Sequence, residues 1–224
     1  MIRLHAVVEG QTEETFVNQV LVPVLADRNV VMDVRCVETG RKRSGVFRGG
    51  VTQYRHLKTN LTLWMKQDQK PETWFTTMVD LYALPDDFPG YADCRKHADP
   101  VVRVECLEEG LLADLSHCRF IPYIQLHEFE ALLFSDPRPF ENAFPSDPAV
   151  TQKLAAIRSQ FPTPEHIDDR RDMAPSKRIL AVLPDYKKTV AGVQIAQQIG
   201  LTALRQECPH FNQWIAKIEA VAAR

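Results

Sequence analysis

The sequence predicts an α/β fold: a mainly parallel central sheet flanked by helices, followed by a mostly helical C-terminal extension. Up to about residue 135, short β-branched segments alternate with segments of helical spacing, the order expected when helices make the crossovers of a parallel sheet. Acidic residues recur where those strand segments stop. Beyond Ser135, Pro137, Pro139, Pro145, Pro148, Pro162 and Pro164 punctuate the chain and no convincing strand follows. The expected division is therefore a core over 1–135 and a helical extension over 136–224, packed on the core and contributing basic residues.

Ile2 to Val8 alternates and is rich in β-branched residues, which predicts a first strand. Phe16, Val20, Leu21, Val24 and Leu25 then recur at helical spacing within a helix expected over Thr12–Arg28. Gly10 is placed at the tight turn between them, with Thr12 as the N-cap. Val30 to Val37 reads as a second strand, GRKRSGVFRGG as a loop, and Val51 to Met65 as a helix. Trp74 to Val79 is the next strand and ends on Asp80. The proline-rich stretch LYALPDDFPG reads as a loop. A helix over Val101–Leu115 and a strand over Arg119–Leu126 complete the core, and CPHF starts a helix whose buried face carries Phe211, Trp214, Ile215 and Ile218.

The totals are those of a folded globular protein. The chain has 224 residues, 45% hydrophobic and 25% charged, enough to bury a sizeable core. A formal net charge of −2 gives no global nucleic-acid signature, so any basic surface must be local. Cys36, Cys94, Cys106, Cys118 and Cys208 are scattered, odd in number and lack a CxxC pair, which predicts reduced thiols in a cytoplasmic protein. Glu9 falls too early for a signal-peptide apolar region, and no apolar run reaches the roughly 18 residues that span a bilayer. A GxxxxGK[ST] pattern is absent, which excludes nucleotide hydrolysis through a P-loop in this sequence.

Ligands of open α/β sheets gather at the carboxyl ends of the strands. Glu9 follows the first strand, Asp80 closes FTTMV, and Glu128 and Glu130 follow FIPYIQL. On an extended backbone, positions i and i+2 share a face, so Glu128 and Glu130 would point together while Phe129 turns inward. Glu13, four residues after Glu9, either faces the same space or complements the helix dipole. His127 would face away from the acids, in a structural or supporting role. A local basic stretch runs between Glu38 and Asp68, which contains no acid. Its Gly-rich part, with Arg41, Lys42, Arg43 and Arg48, is the expected nucleic-acid contact. Asp168, Asp169 and Asp172, mixed with Arg170 and Arg171, read as solvated surface.

The stretches VEGQTEETFV, TTMVDLYALPDDFPG, RFIPYIQLHEFEALLFSDP, APSKRI with PDYKK, and CPHFNQWI resemble a Toprim-like bacterial family of unknown function, and they span nearly the whole chain. The closest functional comparison within Toprim proteins is with the overcoming-lysogenization-defect nucleases. That resemblance implies Glu9, Glu13, Asp80, Glu128 and Glu130 as ligands of Mg²⁺ or Mn²⁺. It also implies a lysine among Lys177, Lys187 and Lys188, with Lys177 preferred and Lys187 second. Toprim domains usually carry Asp-x-Asp, whereas Asp80 is followed here by Leu81 and Tyr82, leaving Asp86 or Asp87 as substitutes.

Hard oxygen ligands suit both ions, and two such ions can activate water and stabilise a leaving oxygen. The resemblance thus implies a metal-dependent endonuclease acting on DNA or RNA, with the lysine stabilising phosphoryl charge. It further implies an SMC-like or AAA-type ATPase partner and a role in defence against foreign genetic elements. The alternative is a non-enzymatic module that docks on an ATPase and binds nucleic acid. No membrane association is expected.

Overall fold

The computed structural model describes residues 1–42, 45–48, 51, 53–147, 149–167 and 173–223. Strand β1 (Ile2–Val8) lies between β2 (Val30–Cys36) and β5 (Thr73–Asp80), parallel to both. Two short parallel segments, β6 (Phe120–Ile121) and β7 (Ile124–Gln125), continue the sheet on the far side of β5. The strand order is β2-β1-β5-β6, with β7 also on β5. A separate antiparallel hairpin is made by β3 (Glu38–Lys42) and β4 (Gly45–Arg48).

Period-two alternation divides the strands between two apolar layers. Leu4, Ala6, Val8 and Met78 face one cluster, which also contains Phe16, Leu21, Ile179, Ile195, Phe211 and Trp214. Val7, Phe75 and Val79 face the other, with Leu57, Leu61, Leu107 and Leu111. Residues from the C-terminal segment therefore share one continuous cluster with β1 and the first helical segment.

That helical segment comprises α1 (Gln11–Phe16), a π-helical turn over Val17–Leu21 and α2 (Val22–Ala26). Pro23 lacks an N–H and breaks the regular ladder, and the widened turn just before it absorbs the mismatch. Gly10, not Thr12, takes the N-cap position. Its φ of −155° is ordinary extended backbone, so the turn does not depend on glycine; the Glu13 carboxylate closes it by accepting the Gly10 N–H at 3.1 Å.

On the opposite face lie α3 (Tyr54–Gln67), α4 (Tyr91–Cys94) and α5 (Pro100–Leu115). Helix α5 starts on Pro100, with the Asp99 carboxylate accepting the Val101 N–H, a regular N-cap arrangement. The C-terminal part contains α6 (Pro139–Ala143), α7 (Val150–Arg158), α8 (Pro175–Val182), α9 (Val193–Glu207) and α10 (Pro209–Ala222). Among the described residues no helix is long and apolar enough to cross a membrane.

Three expectations are corrected. The GRKRSGVFRGG loop folds largely as the β3–β4 hairpin; its glycines and charges hide the strand alternation. The expected strand over Arg119–Leu126 is broken in two. Pro122 brings no N–H, and the Thr77 hydroxyl replaces the ladder there, donating to the Tyr123 carbonyl at 2.9 Å and accepting the Tyr123 N–H at 3.0 Å. The five-thiol expectation fails at one pair: packing α4 against α5 brings Cys94 and Cys106 together in a disulfide, while Cys36, Cys118 and Cys208 remain thiols.

Candidate functional site

Sheet register brings the acids together. Val8 pairs with Met78, and the Glu9 N–H donates to the Met78 carbonyl, so Glu9 emerges beside the end of β5. The Glu9 carboxylate then accepts the Asp80 N–H at 3.0 Å. On the other side Asp80 pairs with Gln125, and the Tyr82 N–H donates to the His127 carbonyl, which fixes the start of the HEFE segment next to Asp80.

At HEFE the backbone turns sharply. His127 has φ of 60°, in the left-handed region, and Glu128 is extended at φ −157° and ψ 167°. A 3₁₀ helix begins at Phe129 and runs to Ser135. The expectation that Glu128 and Glu130 share one face rested on an extended or turning backbone there; the backbone is extended at Glu128 and enters the 3₁₀ helix at Phe129. The two side chains take different partners. Glu128 accepts the Ser176 N–H at the start of α8, at 2.5 Å. Glu130, 1% exposed, turns to a lysine.

That lysine is Lys188. Its Nζ lies 3.2 Å from Asp80 Oδ2, 3.3 Å from Glu130 Oε2 and 3.4 Å from Glu13 Oε1. It projects from a π-helical turn, Lys188–Gly192, that leads into α9. Lys177 and Lys187, preferred from the sequence, are both exposed, and neither makes this contact among the described residues. Lys177 lies within α8, whereas Lys187 and Lys188 adjoin at the irregular turn after it, and sequence periodicity carries no signal of which of these two turns inward.

The carboxylates sit in poor solvent. Burial, reinforced by the Asp80 charge, pushes Glu9 up to about 8; burial also raises Glu13, with Asp80 again adding to it. Burial pushes Glu130 up to about 8, against the opposing pull of Lys188. For Lys188, burial acts to discharge the ammonium, but Asp80, Glu130 and Glu13 outweigh it and hold its pKa above the ordinary lysine value. Glu13 Oε1, Asp80 Oδ1 and Glu130 Oε2 are buried with no hydrogen-bond partner among the described residues. No group of three or more His, Cys, Asp or Glu among the described residues is spaced to hold a metal ion as it stands. Glu13, Asp80 and Glu130 converge on the Lys188 ammonium.

The remaining sequence candidates are placed as follows. Asp87 accepts the Tyr54 N–H at the start of α3, so it caps that helix, and Asp86 is exposed. The Tyr82 ring stands 5.3 Å from the His127 ring. Fully buried His127 bonds through Nε2 to the Glu165 carbonyl at 3.0 Å, a supporting contact. Arg41 and Lys42 lie in β3 and Arg48 in β4, while Arg43, Asp168, Asp169, Arg170, Arg171 and Asp172 lie outside the described residues.

A second buried polar group was not foreseen. Glu108 accepts the Ile124 N–H at 2.8 Å and meets His210 Nε2 at 3.0 Å. Glu165 accepts the N–H groups of His210 and Phe211 at 2.9 and 2.8 Å, capping α10 from a distant segment. CPHF is thus a helix start, as expected, and its histidine is tied to a carboxylate inside the fold.

No curated protein sequence matches the chain. Among solved structures, the C-terminal region of the Burkholderia pseudomallei OLD protein is similar over 99% of both chains, with 15% identity and a TM-score of 0.46. The family model described as "Domain of unknown function (DUF4276)" matches residues 8–219, and the chain therefore belongs to that family.

Proposed function

We propose that the protein is a metal-dependent nuclease that hydrolyses phosphodiester bonds of DNA or RNA at the carboxyl end of its sheet. The observation that carries this reading is the meeting of Glu13, Asp80 and Glu130 on Lys188, with Glu9 bonded to the Asp80 N–H, at the adjacent ends of β1 and β5. Such a concentration of buried charge is costly to a fold, and perturbed carboxylates at strand ends are the kind of group that functional sites collect.

The donor set fits Mg²⁺ or Mn²⁺, because it is all carboxylate and Asp80 Oδ1 is buried with no hydrogen-bond partner among the described residues. Glu9, Glu13, Asp80 and Glu130 would hold the ion, with Glu128 at the rim, where its charge already raises Glu130. When bound, the ion supplies an activated water and Lewis acidity at the phosphoryl oxygens. The protein's own contribution is to fix the acids on strand ends and to bring a cation, Lys188, to the developing phosphoryl charge. The resemblance to Toprim-like proteins supports an effector with an SMC-like or AAA-type ATPase partner, acting against foreign genetic elements. The β3–β4 hairpin, with Arg41, Lys42 and Arg48, is the candidate strand-binding element.

The test is cleavage of plasmid, single-stranded DNA and RNA with Mg²⁺ or Mn²⁺ by the wild type beside Glu9→Gln and Asp80→Asn. Cleavage lost in both variants supports the reading; equal cleavage by all three proteins rejects it. A second reading, a non-enzymatic nucleic-acid-binding subunit docked on an ATPase, is favoured by Tyr82 in place of a second acid and by Asp87 acting as a helix cap. Metal-dependent binding without cleavage, with the ATPase present, would select it.

A further inference from the structure

We propose that Lys188 is a built-in counter-ion occupying the cation position of the acidic site, and that a divalent ion enters only by displacing it. The inference rests on the metal-dependent reading above and adds a gate to it. Three carboxylates from three different elements, Glu13 on α1, Asp80 on β5 and Glu130 on the 3₁₀ helix, each place an oxygen 3.2–3.4 Å from one Nζ. Those are ammonium distances; Mg²⁺ takes oxygens at about 2.1 Å, so the same oxygens must close inward to hold it. An ammonium in their midst blocks that closure by its volume and its like charge. This accounts for two facts together: the site is dense in acids, yet among the described residues no three of them are spaced for a metal.

Lys188 is also placed to leave. It belongs to none of the elements that carry the acids, but to the π-helical turn ahead of α9, where neighbouring Lys187, Thr189 and Val190 are exposed. Its side chain is 32% exposed, whereas those of Glu13 and Glu130 are 4% and 1% exposed. Within this cluster the Lys188 side chain is therefore more exposed than those of Glu13, Asp80 and Glu130. The Phe129 ring, 5.8 Å away, adds a weak cation–π hold on the inward position. Once released, the ammonium stays tethered at the mouth of the site, where an incoming phosphate would meet it.

The test is Mn²⁺ binding to the full chain, read from the electron paramagnetic resonance signal of free Mn²⁺, for wild type, Asp80→Asn and Lys188→Met, with folding checked by circular dichroism. The expected result is binding by the wild type that Asp80→Asn weakens and Lys188→Met tightens at least about ten-fold. Wild-type binding that Lys188→Met leaves unchanged or weakens overturns the gate and leaves the metal reading standing. No binding by either wild type or Lys188→Met overturns both. A second measurement needs no variant: amine labelling of the wild type, read by mass spectrometry, should become several-fold faster at Lys188 when Mn²⁺ is added, with Lys177 unchanged. Labelling at Lys188 that stays constant or slows under bound Mn²⁺ would equally overturn the gate.

Discussion

Lys188 and Asp80 are 108 residues apart in the chain and meet at 3.2 Å, across the end of the central strand. This contact links the helical C-terminal part to the acids of the sheet, and it separates the role of Lys188 from those of Lys177 and Lys187. At saturating Mn²⁺, Lys188→Ala is expected to slow cleavage by roughly 10²-fold, the scale for losing one preorganised charge. Lys177→Ala and Lys187→Ala should stay within about two-fold, as exposed substitutions do. Rates of the three variants under identical conditions check the assignment.

Gly192 fixes the turn that carries Lys188. A Cβ there would stand 2.8 Å from the Tyr186 hydroxyl and 3.4 Å from the Phe129 ring. Gly192→Ala should therefore push Tyr186 and the turn apart, costing about 1–3 kcal/mol by overpacking. Cleavage should fall more than stability suggests, because the ammonium moves with the turn. Thermal melts and rates on the same preparation separate the two effects.

Trp214 anchors α10 to the sheet. It is 2% exposed, stacks on Tyr123 with ring centroids 4.2 Å apart, and donates its Nε1–H to Thr76 at 2.8 Å. Trp214→Ala is expected to cost about 3–5 kcal/mol. Thr76→Val, which orphans the indole N–H and the Ile121 carbonyl bonded to the same hydroxyl, is expected to cost about 1–3 kcal/mol. Urea unfolding of both variants measures this.

The His210–Glu108 pair gives a pH signature away from the acidic site. Burial works to lower the His210 pKa, but the bond and charge of Glu108 override it and raise the value above 6.5. The folded state then binds the proton more tightly than the unfolded chain. The stabilisation is complete below pH 6.5 and disappears as pH rises through the folded value. His210→Gln should remove that part of the pH dependence, seen as the difference between wild-type and variant melting curves from pH 5 to 9. A difference that grows with rising pH would contradict the assignment.

Periodicity made much of the fold legible. β1, β2, β5, α3 and α5 lie close to where alternation or helical spacing puts them, and Glu9 and Asp80 fall at strand ends for the same reason. What was not legible depends on tertiary contact. The Thr77 hydroxyl that splits the strand at Pro122, the pairing of Cys94 with Cys106, and the Glu108–His210–Glu165 group all join segments whose meeting leaves no periodic trace. The HEFE segment is the instructive case. Its acids were recognisable, but the left-handed backbone at His127 and the 3₁₀ start at Phe129 sent Glu128 to α8 and Glu130 to Lys188.

The most direct test of the central claim is Mn²⁺-dependent cleavage of plasmid and single-stranded substrates by the wild type and by Asp80→Asn, purified identically. The account predicts cleavage by the wild type and a loss of about 10²-fold or more in the variant, the scale for removing a preorganised charged group at a reacting centre. Cleavage at the same rate by both proteins would contradict it.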